Sequence, residues 1–119
     1  MATALVPDVL AANGVFSTIT MTAVDITGMS FPNTGRELVV VDAGATPSTG
    51  DVTVEGVAAA DSGRDGTSQI GSSPSMVADD IAIAGPFKPR NWNVGGIVEM
   101  SSALAGTLTV GVVRFDPNG

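Results

Sequence analysis

Short apolar runs alternate with polar residues along most of the chain, and Gly, Pro, Asn and Asp separate these runs. This pattern is typical of β-strands joined by turns. We predict strands over residues 16–24, 37–42, 51–55, 80–84, 96–101 and 107–115. Several short strands at intervals of about 8–12 residues predict an all-β fold with less than about 10% helix. The expected architecture is a single antiparallel β-sandwich, jelly-roll-like, in one domain.

The same alternation predicts which side chains face the core, because successive side chains of a strand point to opposite sides of the sheet. The predicted inward-facing side chains are Val52, Val54, Ile81, Ile83, Leu108, Val110 and Val112. Val113 and Phe115 give the last strand an apolar second face. Residues 37–42 (ELVVVD) form a continuous apolar run, which is typical of a strand covered on both sides.

The segments outside these runs divide the chain into an arm (1–14), a β-sandwich domain (15–116) and a short tail (117–119). Within the domain, residues 57–79 are poor in large apolar side chains and predict a long loop with one short strand at 68–70. Residues 6–12 are the one short helical candidate. The apolar side chains of the arm, Leu5, Val6, Val9 and Leu10, are too few for a core of their own. We therefore expect the arm to reach away from the sandwich and hold a neighbouring molecule. The alternative is that Leu5 and Leu10 fold back onto their own sandwich.

The composition argues against catalysis. The 119 residues include no Cys, no His and no Tyr, which removes the commonest nucleophile, general base and metal ligands. Residues 61–66 partly match a calcium loop, but Gly63 and Ser72 occupy two ligand positions, so an acidic turn is the better interpretation. Asp79 and Asp80 are interpreted as a solvated strand entrance. We expect no enzymatic activity, no cofactor and no metal.

The charge balance restricts the possible partners. Five Lys and Arg against twelve Asp and Glu give a net charge of −7, which disfavours nucleic acid and anionic membranes. The start of the chain lacks the features of a signal peptide, so the chain is expected to be made in a cytosol and kept there until it joins a partner. Charged residues make up only 14% of the chain, compared with about 25% in ordinary soluble domains. This favours a surface buried against other subunits, and hence a homo-oligomer, over a soluble monomer with a hydroxyl-rich surface.

Residues 85–92 (GPFKPRNW) are the densest segment chemically, with two cations and two aromatic side chains. Trp and Arg are frequent in binding hot spots, so this segment is a candidate binding site. The structural alternative, which we favour, is that Phe87 and Trp92 close one end of the core. Arg36 is expected to pair with Glu37 or with an acid on a neighbour. The predicted partner-binding residues are Leu5, Val6, Val9, Leu10, Arg36, Phe87, Lys88, Arg90 and Trp92.

Several short motifs follow one another along the chain in a distinctive order. Residues 30–45 (SFPNTGRELVVVDAGA) are followed by residues 83–87 (IAGPF), by Asn91 with a Gly-Ile-Val strand, and by a closing strand that ends in Val113-Arg114-Phe115. Their order and spacing resemble a family of small head decoration (cement) proteins of tailed bacteriophages, encoded near the major capsid protein. Residues 63–76 depart from the family pattern.

The resemblance implies a β-sandwich or jelly-roll fold and a structural, non-enzymatic virion protein. Such a protein would lie on the exterior of the capsid, bridge major capsid protein subunits and form a homotrimer. The family offers no catalytic residues. Two other classes remain open, which are a receptor- or glycan-binding β-module and a structural protein of a tail or baseplate.

Overall fold

The computed structural model describes residues 3–10, 16–44, 52–55, 68–70, 79–102 and 108–115, with backbone only for 68–70 and Asn91. The described chain forms ten strands and one helical turn. The strands are β1 (Thr3–Ala4), β2 (Asp8–Val9), β3 (Thr22–Ala23), β4 (Met29–Pro32), β5 (Glu37–Asp42), β6 (Val52–Glu55), β7 (Ser68–Ile70), β8 (Ile81–Ala84), β9 (Ile97–Ser101) and β10 (Thr109–Arg114). The helical turn, α1, is Pro89–Trp92.

The strands form two sheets that pack face to face. The first sheet has the order β1-β4-β9-β6-β7, and the second has the order β2-β10-β5-β8 with β3 also paired to β10. The predicted all-β sandwich is therefore confirmed. Both sheets are mixed rather than purely antiparallel, because β1 pairs with β4 and β2 pairs with β10 in parallel. All the other pairings are antiparallel.

The core lies between the two sheets and is built from alternate residues of the longer strands. Its largest fully buried apolar side chains are Phe31, Phe87, Met100, Leu108, Val39, Val41, Val52, Val54, Val98, Val110 and Val112. The predicted inward positions in β6 and in the last strand are confirmed. The observed strands 37–42, 52–55, 81–84, 97–101 and 109–114 match their predictions to within two residues at each end.

The strand predicted over residues 16–24 is wrong for most of its length, because only Thr22–Ala23 pairs with a neighbour. Residues 16–21 instead run across the outer face of the second sheet. They cross β10 at Gly111, where an added Cβ would lie 2.8 Å from both Ile19 Cγ2 and Met21 Sδ. The absence of a side chain at Gly111 thus makes room for this segment.

The N-terminal segment also differs from its prediction. In residues 3–10, β1 adds a parallel strand to the edge of the first sheet and β2 adds one to the edge of the second. Leu5 lies between them and is buried in the core with 7% exposure, whereas Leu10 is 41% exposed. These residues pack on their own sandwich rather than reaching away from it. The helix candidate is also wrong for residues 6–10, which include β2.

A carboxylate anchors the start of this segment. The Thr3 hydroxyl donates to Asp25 Oδ2 at 2.6 Å, and the Thr27 hydroxyl and amide donate to Asp25 Oδ1 at 2.6 and 2.8 Å. The hydrogen bonds from Thr27 and Thr3 lower the pKa of Asp25 from 3.8 to about 2. Asp25 therefore remains ionised, and continues to accept these bonds, at all but very acidic pH.

The burial of Leu5 gives a direct test of this arrangement. We expect Leu5→Ala to lower the free energy of unfolding by about 2–3 kcal/mol, because it opens a cavity between the sheets. The neighbouring Val6 is 81% exposed, so Val6→Ala should change the stability by less than about 0.5 kcal/mol. Denaturant unfolding of both variants measures the difference. Equal, small effects would mean that residues 3–10 do not belong to the core of their own molecule.

Within the long segment 57–79, the predicted short strand at 68–70 is confirmed, since Ser68–Ile70 pairs with β6. The candidate calcium loop at 61–66 and most of the predicted loop lie outside the described residues, as do residues 11–14 and the tail. Asp79 and Asp80 are both exposed and precede β8. The Asp79 N–H donates to Gly44 O and Asp80 O accepts from the Ala43 N–H, so these residues lead into the strand as predicted.

Candidate functional site

Positive charge is concentrated at one end of the sandwich. This end is where β4, β8 and β10 finish and β5 and β9 begin. Four of the five cations lie there, which are Arg36, Lys88, Arg90 and Arg114. Arg36, Lys88 and Arg90 are exposed. We call this surface the cationic end. The fold thus brings together three of the residues that the sequence predicted as partner-binding.

A pair of asparagine side chains fixes the loops of the cationic end. Asn33 is buried, and its Nδ2 donates to Phe87 O at 2.9 Å and to Asn93 Oδ1 at 2.6 Å. In return, Asn93 Nδ2 donates to Asn33 O at 2.9 Å. These bonds join the turn after β4 to the segment that follows β8. Buried amide hydrogen bonds of this kind hold a loop in one conformation, so Arg36, Lys88 and Arg90 are displayed on a rigid base.

Aromatic packing supports the same base from beneath. The ring of Phe87 lies 5.9 Å from that of Phe31 and 4.9 Å from that of Trp92, the latter in an edge-to-face arrangement. Phe87 is 2% exposed and Trp92 is 8% exposed. The structural interpretation of these two side chains is therefore confirmed: they close one end of the core. Both side chains, and that of Leu5, are thus buried within their own molecule.

A buried ion pair completes the cationic end. The Glu37 carboxylate is fully buried and pairs with the Arg114 guanidinium, while the Thr34 and Arg36 amides donate to Oε1 at 2.7 and 3.1 Å. Burial raises the pKa of the Glu37 carboxyl, but the Arg114 guanidinium and the two amides together outweigh burial and lower this pKa. Arg114 makes an ion pair with Glu37 of the kind expected of Arg36, and Arg36 contributes its backbone amide to the same carboxylate.

The remaining predicted residues lie near this end or beside it. Val9 lines a shallow depression together with Thr34, Arg36, Arg114 and Phe115. Val6, Val9 and Leu10 are exposed at 81%, 56% and 41%. Val9 borders the cationic end, and the Leu10 N–H donates to Arg114 O there.

A second candidate surface was not predicted from the sequence. Ile81 and Ile83 were expected to face the core, but they are 62% and 64% exposed, and Ala82 and Ala84 pack against the core instead. The reason is register: Val39 and Val41 face inward on β5 and lie opposite Ala84 and Ala82, whereas Ile83 lies opposite Val40 on the outer side. A shift by one residue exchanges the two faces of a strand.

The two outer faces of the sandwich differ in character. The outer face of the second sheet carries Ile81, Ile83 and, over β10, Ile19, and we call it the aliphatic face. The outer face of the first sheet carries Glu55 directly opposite Glu99, both exposed, beside Ser30, Thr53 and Ser101. We call it the acidic face. The sandwich thus presents three chemically distinct surfaces: one cationic, one aliphatic and one acidic.

Among the described residues, no group of three or more Asp or Glu side chains is placed so that it could hold a metal ion. The described helical turn is far too short to cross a membrane. What the described surfaces offer is contact: exposed aliphatic area, and charges of opposite sign on separate sides.

Comparison of the chain with protein-family models, with characterised proteins and with solved structures finds no significant match.

Proposed function

We propose that this chain is a structural, non-enzymatic virion protein that decorates the outside of a bacteriophage capsid and stabilises it by bridging major capsid protein subunits. The aliphatic face carries the proposal. Two neighbouring isoleucines on an edge strand are each more than 60% exposed, and exposed aliphatic groups of this kind often mark a protein–protein interface. In this proposal they rest on the shell, and the protein is made in the host cytoplasm before it joins the capsid.

The alternative of a glycan-binding module needs an exposed aromatic ring as a platform. The one Trp is buried under the cationic end and the chain has no Tyr, but Phe16 is fully exposed. A glycan-binding role would therefore have to rest on Phe16. A tail or baseplate protein could use the same aliphatic contact, so the location of the protein in the virion decides between these two structural roles.

The direct test is fractionation. A tagged copy of the chain, produced during infection by the phage that encodes it, should band with DNA-filled heads in a density gradient. It should also bind heads from which the protein has been stripped. Recovery with tails but not with heads would support the tail or baseplate role. Recovery with neither would contradict the proposal.

The aliphatic face can be tested by a pair of substitutions. We expect Ile81→Asp with Ile83→Asp to reduce binding to stripped heads at least about tenfold, because two charges would have to be buried in an apolar contact. The unfolding transition should change little, since both side chains are exposed. Quantitative co-sedimentation of the purified variant with stripped heads measures the effect.

The matched control is Ile26→Asp with Val94→Asp. Both residues are 62% exposed, and neither lies on the aliphatic face, so the control adds the same charge at equally exposed aliphatic positions. It should bind heads as the wild type does. If both pairs weaken binding equally, the effect is one of net charge and the aliphatic face is not the contact.

A further inference from the structure

The acidic face contains an unfavourable arrangement within a single molecule. Glu55 of β6 and Glu99 of β9 are directly opposite each other in the antiparallel ladder, and both are exposed. Like charges at directly opposite positions destabilise a sheet. The described residues that share this outer face with them are Ala4, Ser30, Pro32, Thr53, Ile97 and Ser101, and none is a cation. A positive group from outside the molecule would relieve this repulsion.

The cationic end supplies a matching arrangement. Lys88 and Arg90 are two residues apart at the start of α1, and both are exposed. The Asn33–Asn93 pair and the aromatic packing beneath hold this segment in place. Two cations on a fixed backbone segment of one copy are thus complementary to two carboxylates on paired strands of another, and little loop entropy remains to be lost on contact.

We infer that copies of this chain associate with one another through the cationic end of one molecule and the acidic face of the next, with Lys88 and Arg90 against Glu55 and Glu99. This contact is heterologous, because it joins two different surfaces of the same chain. A heterologous contact forms a ring if the rotation between successive copies closes, and an open helical assembly if it does not.

This arrangement leaves the aliphatic face free. Ile81 and Ile83 lie on the second sheet, and Glu55 and Glu99 lie on the first. An assembly built in this way could therefore still attach to a shell. The self-association does not depend on the proposed capsid role, and the experiment below uses the purified chain alone, so that each can fail without the other.

The test is self-association of the full chain, followed by light scattering and sedimentation equilibrium as the NaCl concentration is raised from about 50 mM to about 500 mM. We expect oligomers at low salt that dissociate at high salt, because screening weakens contacts between exposed charges. A chain that is monomeric at about 100 μM protein and low salt would overturn the inference. So would an oligomer that is indifferent to salt.

Charge reversal identifies the surfaces. We expect Lys88→Glu with Arg90→Glu to weaken self-association at least about tenfold, and Glu55→Lys with Glu99→Lys to do the same. When all four substitutions are combined in one chain, the charges again complement each other, and association should return to within about threefold of the wild type. The control Asp80→Lys changes the net charge at the opposite end of the sandwich and should have little effect.

Circular dichroism and thermal unfolding establish that each variant is folded. The salt dependence of the wild type tests the inference even if a variant fails to fold. The inference would be overturned if either double charge-reversal variant, at Lys88 and Arg90 or at Glu55 and Glu99, still associated as the wild type does. Failure of the folded four-fold variant to regain association would also overturn it, because the loss would then come from something other than charge complementarity.

Discussion

Phe87→Ala should lower the free energy of unfolding by about 3–5 kcal/mol, one of the largest effects expected of a single substitution in this chain. The side chain is 2% exposed and lies between Phe31 and Trp92. Its removal would leave a cavity that the neighbouring aromatic rings cannot fill without moving. It would also remove the support beneath Lys88 and Arg90. Equilibrium unfolding in guanidinium chloride measures the loss.

The chain provides a matched control for this prediction. Phe16 is fully exposed, so Phe16→Ala removes the same side chain where it buries nothing. We expect that variant to unfold within about 0.5 kcal/mol of the wild type. Comparable losses in the two variants would show that Phe87 is not part of the core.

Glu37→Gln should lower the free energy of unfolding by about 2–3 kcal/mol at neutral pH. The carboxylate accepts from two backbone amides and pairs with Arg114 at a fully buried position. Hydrogen bonds to a buried charge contribute more than neutral ones, and the substitution leaves a guanidinium without its counter-charge. Because Arg114 is about one-third exposed, water compensates part of that loss. Thermal and denaturant unfolding at pH 7 measure the difference.

The same pair predicts how stability depends on pH. The pKa of Glu37 is lower in the folded state than its usual value of 4.5, so in acid the unfolded chain takes up this proton first. The contribution of Glu37 is therefore complete above about pH 4.5 and is lost as the pH falls through the lower folded pKa. Asp25 acts in the same direction, since its pKa is lowered from 3.8 to about 2.

Glu37→Gln should accordingly show a shallower loss of stability than the wild type between about pH 5 and pH 3. The measurement is a series of unfolding curves across that range for both proteins. Parallel curves would mean that Glu37 has the same pKa in the folded and unfolded chains, and the ion pair with Arg114 and the hydrogen bonds would then only offset the burial of the carboxylate.

The long apolar strands could be predicted from the sequence because one signal dominates there. In β5 and β10, a run of branched apolar residues between turn residues fixes both the type and the bounds of the element. In β6, alternation identifies Val52 and Val54 as core residues because the other positions are polar.

The predictions for β8 and for the N-terminal segment were wrong because the local sequence there did not distinguish between two arrangements. In β8 every position is Ile or Ala, so alternation identifies two faces but not which is inward, and the pairing with β5 decides it. In the N-terminal segment, two-residue strands are too short to carry a periodic signal. Their partners are the exposed edges of sheets formed by distant residues, which no local pattern reveals.

The candidate surfaces were only partly predictable for the same reason. Arg36, Lys88 and Arg90 could be singled out by residue type, but their common location depends on β4 and β8 ending, and β5 beginning, at the same side. Glu55 and Glu99 are separated by a long stretch of chain, and only the register of β6 with β9 makes them neighbours.

The parallel pairing of β2 with β10 also affects how fast the chain can fold. Asp8 pairs with Val113, which lies 105 positions later in the sequence (113 − 8), and β5 must find the same strand across most of that distance. Loop closure of this length is unfavourable until the strands meet, and all-β topologies of this kind fold in milliseconds to seconds. During that time the apolar segments that become β5 and β10 have no partner, and segments of high β-propensity associate between chains. The yield of folded protein should therefore fall as the chain concentration rises during refolding, even when the native state is stable.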